Sequence, residues 1–304
     1  MNQSLVFGGN GFLGSSIVEL SDMDQKYFGV ARKQNLNSNY ILSDYSYKSI
    51  KELIKIVQPQ VIFYSLGSSS VGSSFATSDL VTSVINYETL LQVISDMKAE
   101  TKVFYFSSSA VYGDQGVYFL NEKLTPNPSS PYGENKFKGE ELTNKYIENF
   151  QINAYNLRIF STFGARQKRH LIWDVFEKFK SGEDFNLEGD GEQIRDFLHA
   201  DELASLVVKL ASLQNLKNDK AINVASGRPR KIAEVVHAIS EIFSKQNSNA
   251  GSPNFTFSKS ETPGKPINLA SDVTYLKELV GSQIFSEFNF ESRLEETLKQ
   301  WISN

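Results

Sequence analysis

The chain has 304 residues, which at about 150 residues per domain allows one large domain or two modest ones with a substantial core. Lys and Arg number 31 against 35 Asp and Glu, a formal charge of −4, so no overall field draws the chain to nucleic acid or to an anionic membrane. Cysteine is absent, which excludes disulfides, thiolate nucleophiles and cysteine-ligated metal sites.

Residues 5–7 read as a short apolar strand that runs straight into glycines at Gly8. No basic and apolar leader precedes them and no apolar run approaches about 18 residues, so the expectation is a cytoplasmic protein with no membrane contact. A helix is expected over about 12–20. Further strands are expected at 27–30, 40–42, 61–64, 102–106 and 154–159, alternating with helical patterns over 48–57, 80–97 and 132–149. That alternation predicts an α/β fold, a Rossmann-like doubly wound parallel sheet. Beyond Ile159 it weakens through a basic loop from Arg166 to Arg169, a helix over 171–180 and a glycine-rich stretch at 188–192, while 221–225 reads as one more sheet strand. The expected division is a dinucleotide-binding domain of residues 1–160 plus about 196–225, interleaved with a smaller mixed α/β substrate-binding region of 161–195 and 226–304.

Directly after the first strand stands Gly8-Gly9-Asn10-Gly11-Phe12-Leu13-Gly14. Glycine is needed where the chain turns tightly and where backbone N–H groups must approach a pyrophosphate closely. The helix that follows adds free donors and the positive end of its dipole. At the first strand-to-helix junction this segment reads as a dinucleotide cradle, with Leu66 and Gly67, at the end of the fourth strand, as further cofactor contacts. The second strand runs out at Arg32 and Lys33 with no acid for a ribose 2′-hydroxyl, which favours NADP(H) and leaves NAD(H) possible. Both charges also suit a solvated turn. Asp44 either accepts from the adenine amino group or caps the next helix.

Tyr132 and Lys136 stand at i, i+4 on one helix face. A lysine charge beside a phenol lowers its pKa, which makes Tyr132 a candidate general acid/base. Upstream, Ser107-Ser-Ser-Ala-Val-Tyr-Gly113 offers hydroxyls at a strand's carboxyl end, where open α/β sheets bind ligands. With Asn156-Leu-Arg-Ile-Phe-Ser-Thr-Phe-Gly164 and Gly191-Glu-Gln-Ile-Arg-Asp-Phe197, in that order, the chain resembles the extended short-chain dehydrogenase/reductases, specifically the nucleotide-sugar epimerases, dehydratases and reductases.

The resemblance implies that Tyr132 is the catalytic acid/base and Lys136 its partner, which also holds the nicotinamide ribose. Counting back from Val111 it implies Ser108 as the catalytic hydroxyl; counting forward from Phe106 selects Ser109, otherwise a substrate contact. Ser161 stands where many relatives have an asparagine on the sugar-nucleotide diphosphate, and Arg195 matches the arginine that grips the diphosphate. A salt bridge to Asp196 or Asp201 is the competing role for Arg195. Arg166 and Arg169 lie where relatives contact the nucleotide, or form a solvated charge run. The serine-rich stretch from Gly67 to Phe75 resembles the sugar-side loop of GDP-mannose dehydratases and 4-keto-6-deoxymannose reductases, so that Ser70 and Ser73 touch the hexose or simply cap a helix.

Dehydratases of the group carry an acid just before the Val-Tyr-Gly-like triplet, and Ala110 stands there. This leaves two reactions: NADPH-dependent reduction of the 4-keto group of a GDP- or dTDP-linked 4-keto-6-deoxy sugar, favoured by Arg32, or NAD-dependent nucleotide-sugar 4-epimerisation. Because Tyr132, Lys136, Ser108 and Arg195 are all present, an enzyme is expected rather than a binding protein. The helices over 80–97 and 132–149 are similar to those that pair in family dimers, so a homodimer is expected, although a helix packed on its own sheet gives the same pattern.

Overall fold

The computed structural model describes residues 2–22, 24–33, 39–67, 77–218, 221–246, 253–258 and 268–303. Ser70 and Ser73 lie outside them. In chain order the first part runs β1 (Asn2–Phe7), α1 (Phe12–Val18), β2 (Gln25–Ala31), β3 (Tyr40–Leu42), α2 (Tyr47–Val57), β4 (Val61–Tyr64), α3 (Thr77–Met97), β5 (Lys102–Ser108), β6 (Phe119–Leu120), α4 (Pro131–Phe150) and β7 (Ala154–Ile159). The rest comprises β8 (Ser161–Phe163), α5 (His170–Ser181), β9 (Phe185–Leu187), β10 (Ile194–His199), α6 (Ala200–Ser212), β11 (Ile222–Val224), β12 (Pro229–Lys231), α7 (Ile232–Gln246), β13 (Phe255–Phe257), β14 (Asn268–Ser271), α8 (Thr274–Val280) and α9 (Phe290–Ile302).

Leu5, Val6 and Phe7 are all buried. A strand with neither face to water belongs in the interior of a parallel sheet, and β1 lies there, between β4 and β2, in the order β11-β7-β5-β4-β1-β2-β3. Every pairing in this sheet is parallel. One face is covered by apolar residues of α1 and α6, the other by those of α2, α3 and α4. From β1 the chain first moves outward to β2 and β3, then returns to build β4 and β5 on the other side. The crevice at the carboxyl ends of β1 and β4 is therefore the topological switch point, where ligands of such sheets bind.

The second region is built on the order β12-β10-β14-β6, with β8 beside β10 and a separate β13-β9 pair. Phe163, Phe176, Val235, Leu298 and Trp301 form its core between α5, α7 and α9. Two boundaries differ from the expected division. The whole of β10 pairs in this second sheet, so the chain re-enters the first layer at α6 and not near residue 196. Leu120, from inside the first stretch, supplies the edge strand β6. Both differences come from strands of two to six residues, too short to carry an apolar period. Among the described residues no helix is long and apolar enough to cross a membrane.

Candidate active site

Gly8 takes φ +85°, a conformation that costs a side-chain-bearing residue dearly. A Cβ on Gly14 would stand 2.3 Å from the Gly8 carbonyl oxygen, and one on Gly9 would stand 2.4 Å from the Gly29 Cα. These contacts let α1 start almost on top of the end of β1. Gly11, the residue before α1, accepts from Ser15 N at 3.0 Å and puts no side chain over the first helical amides. Asn10 donates to Lys33 O at 3.5 Å, joining this loop to the end of β2. Phe12 and Leu13 form the first turn, and the half-buried Leu66 closes the far side, its N–H 3.0 Å from where a Gly8 Cβ would lie. The segment is thus a backbone-lined cradle that a Cβ would fill, which fits the pyrophosphate of a dinucleotide.

At the end of β2, Arg32 is exposed with its guanidinium 5.7 Å from the Tyr45 ring centre. It shares a shallow cleft with Leu42, Ser43, Asp44 and Ser49. The helix-cap role weighed for Asp44 belongs instead to Ser46, whose side chain accepts from Ser49 N. Asp44 accepts from Ser46 N at 2.9 Å, and that bond holds its carboxyl below the usual carboxylate range.

The catalytic candidates come together where β5 meets the start of α4. Ser130 caps this helix by accepting from Gly133 N at 3.1 Å, and Pro131 occupies its first position. Two glycines then bring α4 close to the sheet. A Cβ on Gly133 would stand 2.5 Å from Ala110 O, and one on Gly139 would stand 2.1 Å from the Tyr105 hydroxyl. The Ser108 hydroxyl lies close enough to the Tyr132 phenol to ease its ionisation and accepts from Ala110 N at 3.2 Å. Ser109, by contrast, is buried at the start of the short turn Ser109–Val111.

The Lys136 ammonium donates to Phe106 O at 2.7 Å and lies 5.9 Å from the Tyr132 ring centre. Gly67 approaches from β4, with Lys136 Nζ 3.5 Å from where its Cβ would be. Burial pushes Lys136 down to about 8. It pushes the Tyr132 phenol up, and the Ser108 hydrogen bond offsets only part of that rise. The expected lowering of the phenol by Lys136 is therefore outweighed by desolvation.

Sugar-side candidates gather on the second sheet. Ser161 opens β8 and pairs with Phe197, two residues beyond Arg195 on β10. Burial lowers the Arg195 guanidinium to about 10. The acids weighed as its ion-pair partners have other bonds: Asp196 accepts from Ser226 N and Oγ and from Gly227 N at 2.6–3.0 Å, and Asp201 lies 3.5 Å from Arg166. Arg169 is exposed at the N-cap of α5. Arg166 is exposed and ion-paired. It donates to Glu19 at 2.6–2.7 Å and to Ser16 at 2.6 Å, fastening α1 to the second region. Sequence reasoning missed Gly133, Gly139 and the buried Ser107–Glu140–Arg158 group behind the pair; two glycines inside one amphipathic helix were the available sign of a close approach.

A doubly wound sheet with a glycine cradle at its switch point and a Ser/Tyr/Lys group beside it defines a dinucleotide-dependent enzyme of the Rossmann class. A profile of the NAD dependent epimerase/dehydratase family matches residues 4–225. The chain belongs to that family, whose members are NAD(P)-dependent enzymes of nucleotide-sugar chemistry. It is 27% identical over 249 residues to a putative UDP-glucose 4-epimerase of Methanocaldococcus jannaschii, covering 77% of this chain and 80% of the relative. It is 25% identical over 242 residues to the GDP-6-deoxy-D-talose 4-dehydrogenase of Aggregatibacter actinomycetemcomitans, covering 78% and 79%. The UDP-glucuronic acid 4-epimerase of Bacillus cereus, solved with UDP-glucuronic acid and NAD, superposes with a TM-score of 0.81 at 22% identity over 98% of this chain and 99% of that one.

Proposed function

We infer that the protein is a nucleotide-sugar 4-epimerase that inverts C4 of a nucleotide-activated hexose. The observation that carries this reading is the Ser108–Tyr132–Lys136 group with Ala110 beside it. The group can move a proton to and from a hydroxyl, while Ala110 leaves no carboxylate next to it to drive loss of water from the sugar. Two of the similar proteins are 4-epimerases, one of UDP-glucose and one of UDP-glucuronic acid. In this reading Ser108 holds the C4 oxygen, Tyr132 as a phenolate stabilised by the Lys136 cation takes its proton, and the phenol so formed later returns it. Arg195, with Ser161 nearby, binds the diphosphate. A nicotinamide dinucleotide held along Gly8–Gly14 supplies reversible hydride exchange with C4.

Arg32 favours a second reading, an NADPH-dependent 4-ketoreductase, because a guanidinium at the end of β2 suits a 2′-phosphate. The purified protein is therefore offered UDP-glucose with NAD, and GDP- and dTDP-4-keto-6-deoxyhexoses with NADPH. The expected result is formation of UDP-galactose with no net change in cofactor. Stoichiometric NADPH oxidation by a keto sugar would replace the epimerase with the reductase.

The same reading includes a homodimer through α3 and α4. These helices pack side by side, with Tyr87 and Thr143 hydroxyls 2.8 Å apart. One turn apart on α3, Val81 and Ile85 are about half exposed, an apolar stripe that a second copy would cover. Light scattering is expected to give twice the chain mass; a monomer at micromolar concentration would refute the pairing.

A further inference from the structure

We propose that Glu140 is a positioning residue for the Tyr132–Lys136 pair, acting from behind it through Ser107 and Arg158. The proposal rests on the reading of Tyr132 as the acid/base. Glu140 lies one helical turn beyond Lys136 on α4, so the two side chains are neighbours on one face, and it is 2% exposed. Its Oε1 accepts from Ser107 Oγ at 2.6 Å and from Arg158 Nε at 3.0 Å; its Oε2 accepts from Arg158 Nη2 at 2.8 Å. Ser107 and Arg158 are paired across β5 and β7. A single carboxylate therefore ties the helix that carries Tyr132 and Lys136 to the strand end that carries Ser108.

The tie continues sideways. The Arg158 guanidinium lies 4.7 Å from the Tyr112 ring centre, and the Tyr112 hydroxyl donates to Asn223 Oδ1 on β11 at 2.7 Å. A buried ion pair of this kind adds little stability over apolar residues of the same volume. What apolar residues would not reproduce is the fixed distance between α4 and β5, or the cancelled charge behind Lys136. The groups against Lys136 are Tyr132 on its own helix, Tyr105 and the Phe106 carbonyl on β5, and Gly67 after β4; Glu140, one helical turn further on, is engaged by Ser107 and by Arg158 of β7.

The test titrates Lys136 in the whole protein by NMR of isotope-labelled lysine, its signal identified by its loss in Lys136→Met. In Glu140→Gln the Arg158 charge is no longer cancelled by the carboxylate one helical turn from Lys136, and the Lys136 midpoint is expected to fall by about half a pH unit or more. Arg158→Met should raise it by a similar amount, and Glu140→Leu with Arg158→Met should bring it back near wild type. Turnover of UDP-glucose by Glu140→Gln should drop about tenfold with KM within about twofold, a split that general loosening of the fold would not give. An unmoved midpoint in folded Glu140→Gln overturns the proposal. Should that variant not fold, an unmoved midpoint in Arg158→Met does the same. Retained turnover in Tyr132→Phe would overturn the acid/base reading alone, because the Lys136 titration does not depend on it.

Discussion

Tyr132→Phe is expected to lower turnover by about a thousandfold, within the range for removing a positioned general acid/base, while the affinity for NAD and for UDP-glucose stays within about twofold. The change deletes one oxygen. The ring remains at the second position of α4, and Lys136 keeps its 2.7 Å bond to Phe106 O. What disappears is the hydroxyl beside Ser108, and with it the proton route of the proposed epimerisation. Steady-state kinetics and calorimetric titration with each ligand check the two halves of the expectation. Turnover near wild type would remove Tyr132 from the chemistry.

Gly14→Ala should have the opposite profile, a loss of dinucleotide binding first and of turnover as a consequence. The new Cβ would lie 2.3 Å from the Gly8 oxygen and 2.8 Å from the Gly8 carbonyl carbon. Neither is a side chain that can rotate away, so α1 has to back off from the end of β1. A displacement of about 1 Å in a positioned binding group costs on the order of a hundredfold, and we expect a loss of that size in NAD affinity. Overpacking of this kind also costs about 1–3 kcal/mol of stability. Gly116→Ala is the control. Unlike Gly14→Ala it introduces a side chain at positive φ, but nothing lies within 4 Å of its new Cβ. It should lose some stability and keep full affinity; a Gly14→Ala protein that binds NAD normally would mean the cradle holds something else.

The first sheet was legible because its strands are buried on both faces and its helices on one, which writes period into the sequence. The cradle could be read because close backbone approach leaves no residue but glycine, and the Tyr132–Lys136 pair because a helix fixes what i and i+4 share. The second sheet could not be read in the same way. Strands such as β8, β9 and β12 have three residues each, fewer than any alternation needs. The Ser107–Glu140–Arg158 tie was hidden for a different reason: its members are 33 and 18 positions apart, and no local pattern joins a strand end to a helix and a second strand. The Arg166–Glu19 pair could not be read because a basic loop signals charge without saying which acid will meet it. The direction of the Tyr132 shift was misjudged because spacing reveals a neighbour and says nothing of how dry the neighbourhood is.

The interleaving of the two sheets also governs how such a molecule can be taken apart. Between β5 and β12 the described chain passes from one sheet to the other five times. No single cut therefore separates the cradle from the sugar side. To graft the sugar-side layer of this protein onto another dinucleotide layer, one would have to exchange β6, the stretch from β8 to β10 and everything from β12 onward together. A lone crossover would leave each edge strand in one parent and its partner in the other.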